Sequence, residues 1–236
     1  MKKILPHLLF LAVFYFPIHL AGQDFTPVDE NVRDTIYLKN PSFEDIPRAG
    51  GSQRIPILDW EDCSGYYFSG ETPPDIHPVP GGAWGVQGKA EDGETYLGMV
   101  VRQTATWESV SQRLKTALLK GKCYELHAYL SLSPVYFSGT KISDTLEDFS
   151  HPAVLRIWGG SDVCDKTELL SVSYPVANHD WKECVFHLNP TMTCHSITLE
   201  AFYYIPESNY SKERIKAYNG HIMIDHLSPI MEVECK

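Results

Sequence analysis

What most constrains this chain is a period of two. From Tyr124 to Leu132, the residues Tyr124, Leu126, Ala128, Leu130 and Leu132 fall on one side of an extended strand, and Glu125, His127, Tyr129 and Ser131 on the other. Successive side chains of a strand point to opposite faces, so the segment predicts one face in a core and one in water. The same alternation sets Ile197, Leu199, Ala201 and Tyr203 on one side, and pairs Leu155 with Ile157, Phe186 with Leu188, and Ile222 with Ile224. Tyr96 to Val101 reads instead as a continuously apolar strand. No stretch carries a long amphipathic helical stripe. Residues 107 to 118 fit either pattern: Trp107, Val110, Leu114, Ala117 and Leu118 suit a helix, whereas Val110, Gln112 and Leu114 suit a strand. Asn189-Pro190-Thr191 reads as a hairpin turn. Roughly nine or ten strands over ~195 residues predict an all-β chain folded as one two-sheet sandwich.

The first 22 residues stand apart. Lys2 and Lys3 precede an apolar run from Ile4 to Leu20 and then Ala21-Gly22, the layout of a cleaved signal peptide. A retained N-terminal anchor is the alternative reading, against which Pro6, His7, Pro17 and His19 interrupt the run. Residues 23–35 form a flexible acidic lead-in, and residues 36–236 a single domain. Removing the leader takes two of the 20 basic residues and none of the 30 acidic ones, so the formal charge moves from -10 to -12. A nucleic-acid partner is not expected from that balance, because phosphate binding needs clustered Lys and Arg. No other apolar run approaches ~20 residues, so no membrane span is expected after cleavage. The mature chain is expected to be secreted, periplasmic or on the cell surface.

All six cysteines, Cys63, Cys123, Cys164, Cys184, Cys194 and Cys235, lie beyond the leader, and an even number in an oxidising compartment predicts disulfides. One reading has a bridge among Cys164, Cys184 and Cys194, with Cys235 tying the C-terminus to an earlier strand. The other is partial pairing with some buried free thiols.

Ser64 to Gly88 holds six Gly and four Pro with Tyr66, Tyr67, Phe68 and Trp84 among them, a long loop of the kind that often carries function. Irregular connections are also expected over Ser133–Pro152 and Pro206–Asn219. The sequence has no HExxH, no GxSxG elbow and no Walker-type loop. A retaining glycosidase needs two carboxylates ~5 to 5.5 Å apart across a sugar. Asp59, Glu61 and Asp62 around Trp60, or Asp92 and Glu94, are the candidates, without the close ExDxxE spacing on one strand. His221, Asp225 and His226 make a poor metal cluster, since adjacent Asp and His on a strand face opposite ways. No catalytic residue is assigned.

Six motifs follow one another in order: Leu38-Lys39-Asn40-Pro41-Ser42-Phe43-Glu44, Trp60, Asp92-Gly93-Glu94-Thr95-Tyr96-Leu97-Gly98, Val110-Ser111-Gln112-Arg113-Leu114, Leu119-Lys120-Gly121-Lys122-Cys123-Tyr124-Glu125-Leu126, and Ile222-Met223-Ile224-Asp225. The set resembles the galactose-binding-like jelly rolls of carbohydrate-binding modules, as in secreted and gliding-motility-associated proteins of Bacteroidetes, over roughly residues 36 to 230. The resemblance implies an antiparallel two-sheet jelly-roll sandwich, turns residues 109 to 114 toward a strand, and implies binding rather than catalysis. It also implies a structural Ca²⁺ held by Glu44 and Asp225 with backbone carbonyls, a donor set suited to an ion that takes six to eight oxygens at ~2.3 to 2.6 Å. His226 departs from the family pattern, which often has a further Asp or Asn there.

Sugar sites combine an aromatic platform with polar side chains for hydroxyls. Two places offer both: the long loop, with Tyr66, Tyr67 and Trp84 beside Asp75, His77 and Gln87, and the solvent-facing side of a sheet, with Arg102 and Trp158. Trp60, Trp107 and Trp181 border strands and are assigned to the core. A neutral glycan or cell-surface glycoconjugate is the expected partner of so acidic a chain. The competing expectations are an envelope structural or adhesion protein that uses the sandwich to contact another protein, and, behind it, a glycoside hydrolase.

Overall fold

The structure, a computed structural model, describes residues 34–50, 55–205 and 216–235. The expected leader, residues 1–22, most of the lead-in, and the greater part of the connection after Pro206 lie outside the described residues. Fifteen strands are present among the described residues: β1 Thr35–Ile36, β2 Glu61–Asp62, β3 Asp75–His77, β4 Tyr96–Arg102, β5 Thr106–Trp107, β6 Ser109–Leu118, β7 Cys123–Ser131, β8 Phe137–Thr140, β9 Ser143–Asp148, β10 Ala153–Gly160, β11 Glu168–Val172, β12 Lys182–Leu188, β13 Cys194–Tyr203, β14 Gly220–Asp225 and β15 Ile230–Val233. Helix among the described residues is limited to one α-helical turn, α1 Ser64–Tyr67, and one 3-10 turn, Ala83–Gly85. The count exceeds the expected nine or ten because several strands are two to four residues long, too short to show a period. No described helix is long and apolar enough to cross a membrane.

The strands form an antiparallel jelly-roll sandwich. One sheet has eight strands in the order β1-β15-β7-β14-β4-β3, with β12 also on β7 and β5 on β4; the other has five in the order β11-β10-β13-β6-β2. Alternating residues supply the core between them: Leu126, Ala128 and Leu130 from β7, Leu155 and Ile157 from β10, Phe186 and Leu188 from β12, Ile197, Leu199 and Ala201 from β13, and Ile222 and Ile224 from β14. Residues 109–118 are strand, and β6 pairs β13 through Val110↔Leu199 and Gln112↔Ile197. Val110 and Leu114 enter the core. Gln112 shares their face at low cost because its amide is fully used: Nε2 donates to the Lys39 and Asp59 carbonyls at 2.9 Å, and Oε1 accepts from the Lys39 N–H at 2.8 Å.

β4 departs from alternation for a tertiary reason. Leu97, Met99 and Val101 face the main core. Tyr96 and Val100 face the other way, into a second cluster with Val86, Tyr136, Phe149 and Met223. The strand reads as continuously apolar because loops cover its outer face, and each large side chain so buried contributes ~1.5 to 3 kcal/mol.

Three expectations are corrected. Asn189-Pro190-Thr191 is not a hairpin turn: β12 pairs β7 in one sheet and β13 pairs β10 and β6 in the other, so the segment crosses the sandwich. Ser133–Pro152 is not irregular, since β8 and β9 form their own antiparallel hairpin. Cysteines 164, 184 and 194 do not bridge one another. The disulfides are Cys63–Cys164 and Cys123–Cys235, the second tying the C-terminus to the start of β7, and Cys184 and Cys194 are free thiols. Burial pushes the Cys194 thiol up to about 11, which leaves it an inert core side chain.

Candidate functional site

The outer face of the eight-stranded sheet holds a small polar cavity. Its floor is β4, which projects Tyr96, Val100 and Arg102 outward, and β3, paired through Asp75↔Gly98 and His77↔Tyr96. Gly98 is required in that run: a Cβ there would lie 2.8 Å from His77 Cδ2, so only glycine lets the imidazole cross the strand. The roof is the β8–β9 hairpin, closed at its base by the Phe149 N–H donating to the Tyr136 carbonyl at 2.8 Å. The long loop supplies Trp84, held at φ 62 between glycines. The resulting cavity is about 150 Å³ and is lined by Asp75, Trp84, Arg102, Glu108, Tyr136 and Phe149, among others.

Its charges are tightly arranged. Arg102 Nη2 donates to Glu108 and to Thr72 Oγ1 (2.8 Å), and Nε lies 3.6 Å from Glu71. The Glu108 Oε2 accepts the Val100 N–H at 3.0 Å. Burial pushes the Glu108 carboxyl up, with Arg102 pulling against it. Burial opposes the Arg102 charge too, but the Glu108 and Glu71 carboxylates outweigh it and hold the guanidinium above its ordinary value. Asp75 accepts from the Gly50 N–H and, at 2.7 Å, from the Tyr136 hydroxyl. Among the side chains that line the cavity, one buried nitrogen is left over. Arg102 is 7% exposed, and its Nη1 has no hydrogen-bond partner.

Behind the cavity, His221 is fixed as a neutral ring. Nδ1 donates to the Phe149 carbonyl at 2.7 Å, and Nε2 accepts the Ser133 N–H at 2.8 Å. Burial pushes its pKa down to about 4.

A different arrangement occupies the outer face of the five-stranded sheet. Glu200 of β13 accepts the Trp107 Nε1–H at 2.8 Å, the Trp158 Nε1–H at 3.0 Å and the Lys166 ammonium, with Arg156 Nη1 at 3.8 Å. The Tyr67 ring lies 4.1 Å from Lys166 Nζ, and its hydroxyl donates to the Cys164 carbonyl. The Cys63–Cys164 disulfide joins the two loops that carry Tyr67 and Lys166.

The structure therefore regroups the expected ligand residues. Arg102 is not on a solvent-facing surface with Trp158, because β4 and β10 belong to different sheets and loops cover β4. Trp84 and Arg102 line one cavity, whereas Tyr67 and Trp158 belong to the Glu200 cluster. Tyr66, 69% exposed, borders a separate groove of about 320 Å³ with Ile55, Trp60 and Glu61. Sequence reasoning missed Glu108, Tyr136 and Glu200. Glu200 left a trace, as a carboxylate between the apolar Leu199 and Ala201 of β13; Tyr136 left none.

Glu44 and Asp225 meet the same turn. Glu44 Oε1 accepts the Glu94 and Thr95 N–H groups at 2.8 and 3.1 Å. Asp225 Oδ2 accepts those of Glu91 and Asp92 at 2.7 and 3.1 Å, and its Oδ1 that of His226 at 2.8 Å. Gly93, at φ 68, permits this approach, since a Cβ there would collide with Glu44 Oε1. Burial pushes Asp225 up to about 6, against the pull of those amides. Among the described residues no three acidic, His or Cys side chains converge as a metal cluster.

No protein-family model matches the chain, and no curated protein does. Solved structures do. A Stig cyclase, Fisc, from Fischerella sp. TAU is 13% identical, with 86% of this chain and 100% of that one aligned at a TM-score of 0.50. The CBM22-1 xylan-binding domain of Paenibacillus barcinonensis Xyn10C is 15% identical over 86% of this chain and 97% of its own, at 0.44. The C-terminal CBM6 of LamC from Zobellia galactanivorans is 8% identical over 63% and 87%, at 0.36. The likeness is one of fold. The chain has the jelly-roll sandwich that its motif order implied.

Proposed function

We propose that this chain is an exported, non-catalytic carbohydrate- or glycoconjugate-binding module whose ligand seats in the cavity between β4 and the β8–β9 hairpin. The observation that carries it is the Arg102 Nη1, buried without a partner on a residue that lines a cavity walled by Trp84, Tyr136 and Phe149. An unpaired buried donor costs ~1 to 3 kcal/mol, which a ligand oxygen would recover. Aromatic walls with a few convergent polar groups suit the apolar face and hydroxyls of a sugar. Modules that bind sugars on this type of fold, such as the xylan-binding domain named above, lend the reading support.

The absence of catalysis is part of the proposal. Both acidic side chains of the cavity are engaged internally, Asp75 by Gly50 and Tyr136, and Glu108 by Arg102 and Val100, so a reacting group would have to displace one of these partners to reach either. Export rests on the leader-like residues 1–22 and agrees with two disulfides, which persist in oxidising compartments. Binding to a broad glycan array should be clear for the wild type and lost in Trp84→Ala. No binding to any glycan would sink the reading, and reducing-sugar release from a glycan panel would revive a hydrolase.

A structural Ca²⁺ belongs to the same proposal. The donors near the 91–95 turn are oxygens of the kind that ion accepts, and Glu44 and Asp225 would hold it with backbone carbonyls. Their hydrogen bonds to the turn already join the two ends of the domain there. Chelation with EDTA should lower the melting temperature of the wild type and leave Glu44→Ala unmoved. An unchanged wild type would remove the calcium.

One observation favours the envelope-protein alternative: Phe137, Ile142 and Leu146 of the hairpin are exposed. A pull-down from envelope extracts that is lost in Phe137→Ser/Leu146→Ser, together with a blank glycan array, would favour it.

A further inference from the structure

We infer that the cavity under the β8–β9 hairpin takes a single neutral sugar unit, the terminus or branch tip of a glycan, rather than the interior of a polysaccharide chain. This rests on the glycan-binding reading above and narrows its ligand.

Size speaks first. The cavity is about 150 Å³. A volume of ~150 Å³ holds one six-membered ring, and it falls below the ~300 to 1,000 Å³ of pockets that take larger ligands.

Shape points the same way. A row of charges runs from the hairpin through the long loop to the sheet: Lys141 Nζ lies 3.2 Å from Glu71, Glu71 lies 3.6 Å from Arg102 Nε, and Arg102 pairs with Glu108. The segment that leads into the hairpin also packs closely on the long loop, since a Cβ on Gly85 would sit 2.8 Å from Val135 Cγ1. A threading polymer would need two openings and would have to part these contacts. A chain end needs one opening.

Charge sets the class of sugar. Three carboxylates, Asp75, Glu71 and Glu108, surround Arg102, with Lys141 at the rim and His77 Nε2 3.5 Å from Asp75. A uronate, sialate or sulfate would bring a further negative charge beside the Asp75 and Glu71 carboxylates into a poorly solvated space. A hydroxyl or acetamido oxygen accepts from Nη1 without that repulsion.

Calorimetric titration of the purified protein tests this. The probes are methyl glycosides of neutral hexoses and N-acetylhexosamines, their uronic-acid counterparts, and oligosaccharides of one to six units ending in the same sugar. A neutral methyl glycoside should bind within about threefold of the longest oligosaccharide, and its uronic counterpart about tenfold more weakly or worse. Arg102→Lys, which keeps the charge but loses the fork, should weaken binding about tenfold. Ser138→Leu narrows the cavity from the hairpin, clear of the row of charges, and should do the same while the melting temperature holds. If Arg102→Lys fails to fold, Ser138→Leu decides: unchanged binding there overturns the assignment to this cavity. Affinity that climbs with each added unit, with no response to the monosaccharide, overturns the single-unit inference and leaves glycan binding standing. Tighter binding of the uronate overturns neutrality. Silence across all probes overturns both readings.

Discussion

The two outer faces of the sandwich each bury a glutamate, and they use it differently. Glu200, on the five-stranded sheet, gathers two indole N–H groups and an ammonium, so every donor aimed at it is used. Glu108, on the eight-stranded side, accepts from an arginine that keeps one nitrogen unpartnered beside an open space. Both residues are 2% exposed. Burial alone therefore does not separate a structural carboxylate from one beside a site. What separates them is whether the covering loops fill the volume: the disulfide-joined loops around Tyr67 and Lys166 do, and the hairpin over β4 stops short.

The largest test of this contrast is Glu200→Ala. It strips the acceptor from Lys166, Trp107 and Trp158 and should cost ~3 to 5 kcal/mol in urea unfolding. Glu108→Ala should cost less, ~2 to 3 kcal/mol, because Arg102 keeps Glu71 and Thr72. A larger loss for Glu108→Ala would break the comparison. Replacing Cys63 and Cys164 with Ala should lose ~2 to 4 kcal/mol. Glycan binding should survive that change, since the cavity lies on the other sheet.

Acid should act through His221. Its folded pKa, about 4, lies below the 6.5 of a free histidine, so the unfolded chain takes up its proton first as pH falls. Its share of stability is complete above pH ~6.5 and is lost between there and ~4, by up to ~3 kcal/mol at ~1.4 kcal/mol per pH unit. His221→Gln should flatten that part of the stability–pH curve; an unchanged slope would show that other groups set it. Tyr136→Phe, which takes one donor from Asp75, should cost ~1 to 2 kcal/mol. The smallest effect belongs to Lys141→Ala, ~0 to 1 kcal/mol, because its partner Glu71 keeps Arg102 and the ammonium is half exposed.

The core was legible before the structure because its code is local. Leu126, Ala128 and Leu130, or Ile197, Leu199 and Ala201, announce their shared face by alternation, and the pleat fixes which way they point. The need for Gly98 inside an apolar strand is visible only once His77 is seen to cross it. Asp225 closes a strand that faces the core through Ile222 and Ile224, yet it lies fully buried on the other side, because the 91–95 turn folds over it and supplies two amides, with a third from His226. The loop aromatics do not share one site: Tyr67 and Trp84 are 17 residues apart in one loop, yet they lie on opposite faces of the sandwich.

By itself the sequence determined an all-β sandwich and the inward face of the long alternating strands, because strand period acts over a few residues at a time; residues 109–114 fitted two periods, and only the order of motifs along the chain turned them toward strand. Only the tertiary structure decided which cysteines pair, that Arg102 is buried beside Trp84 rather than exposed beside Trp158, and that one covered face keeps a cavity. Those outcomes depend on segments separated by up to about a hundred residues arriving in one place, as Cys63 and Cys164 do across 101 positions. Strand periodicity carries no record of such meetings.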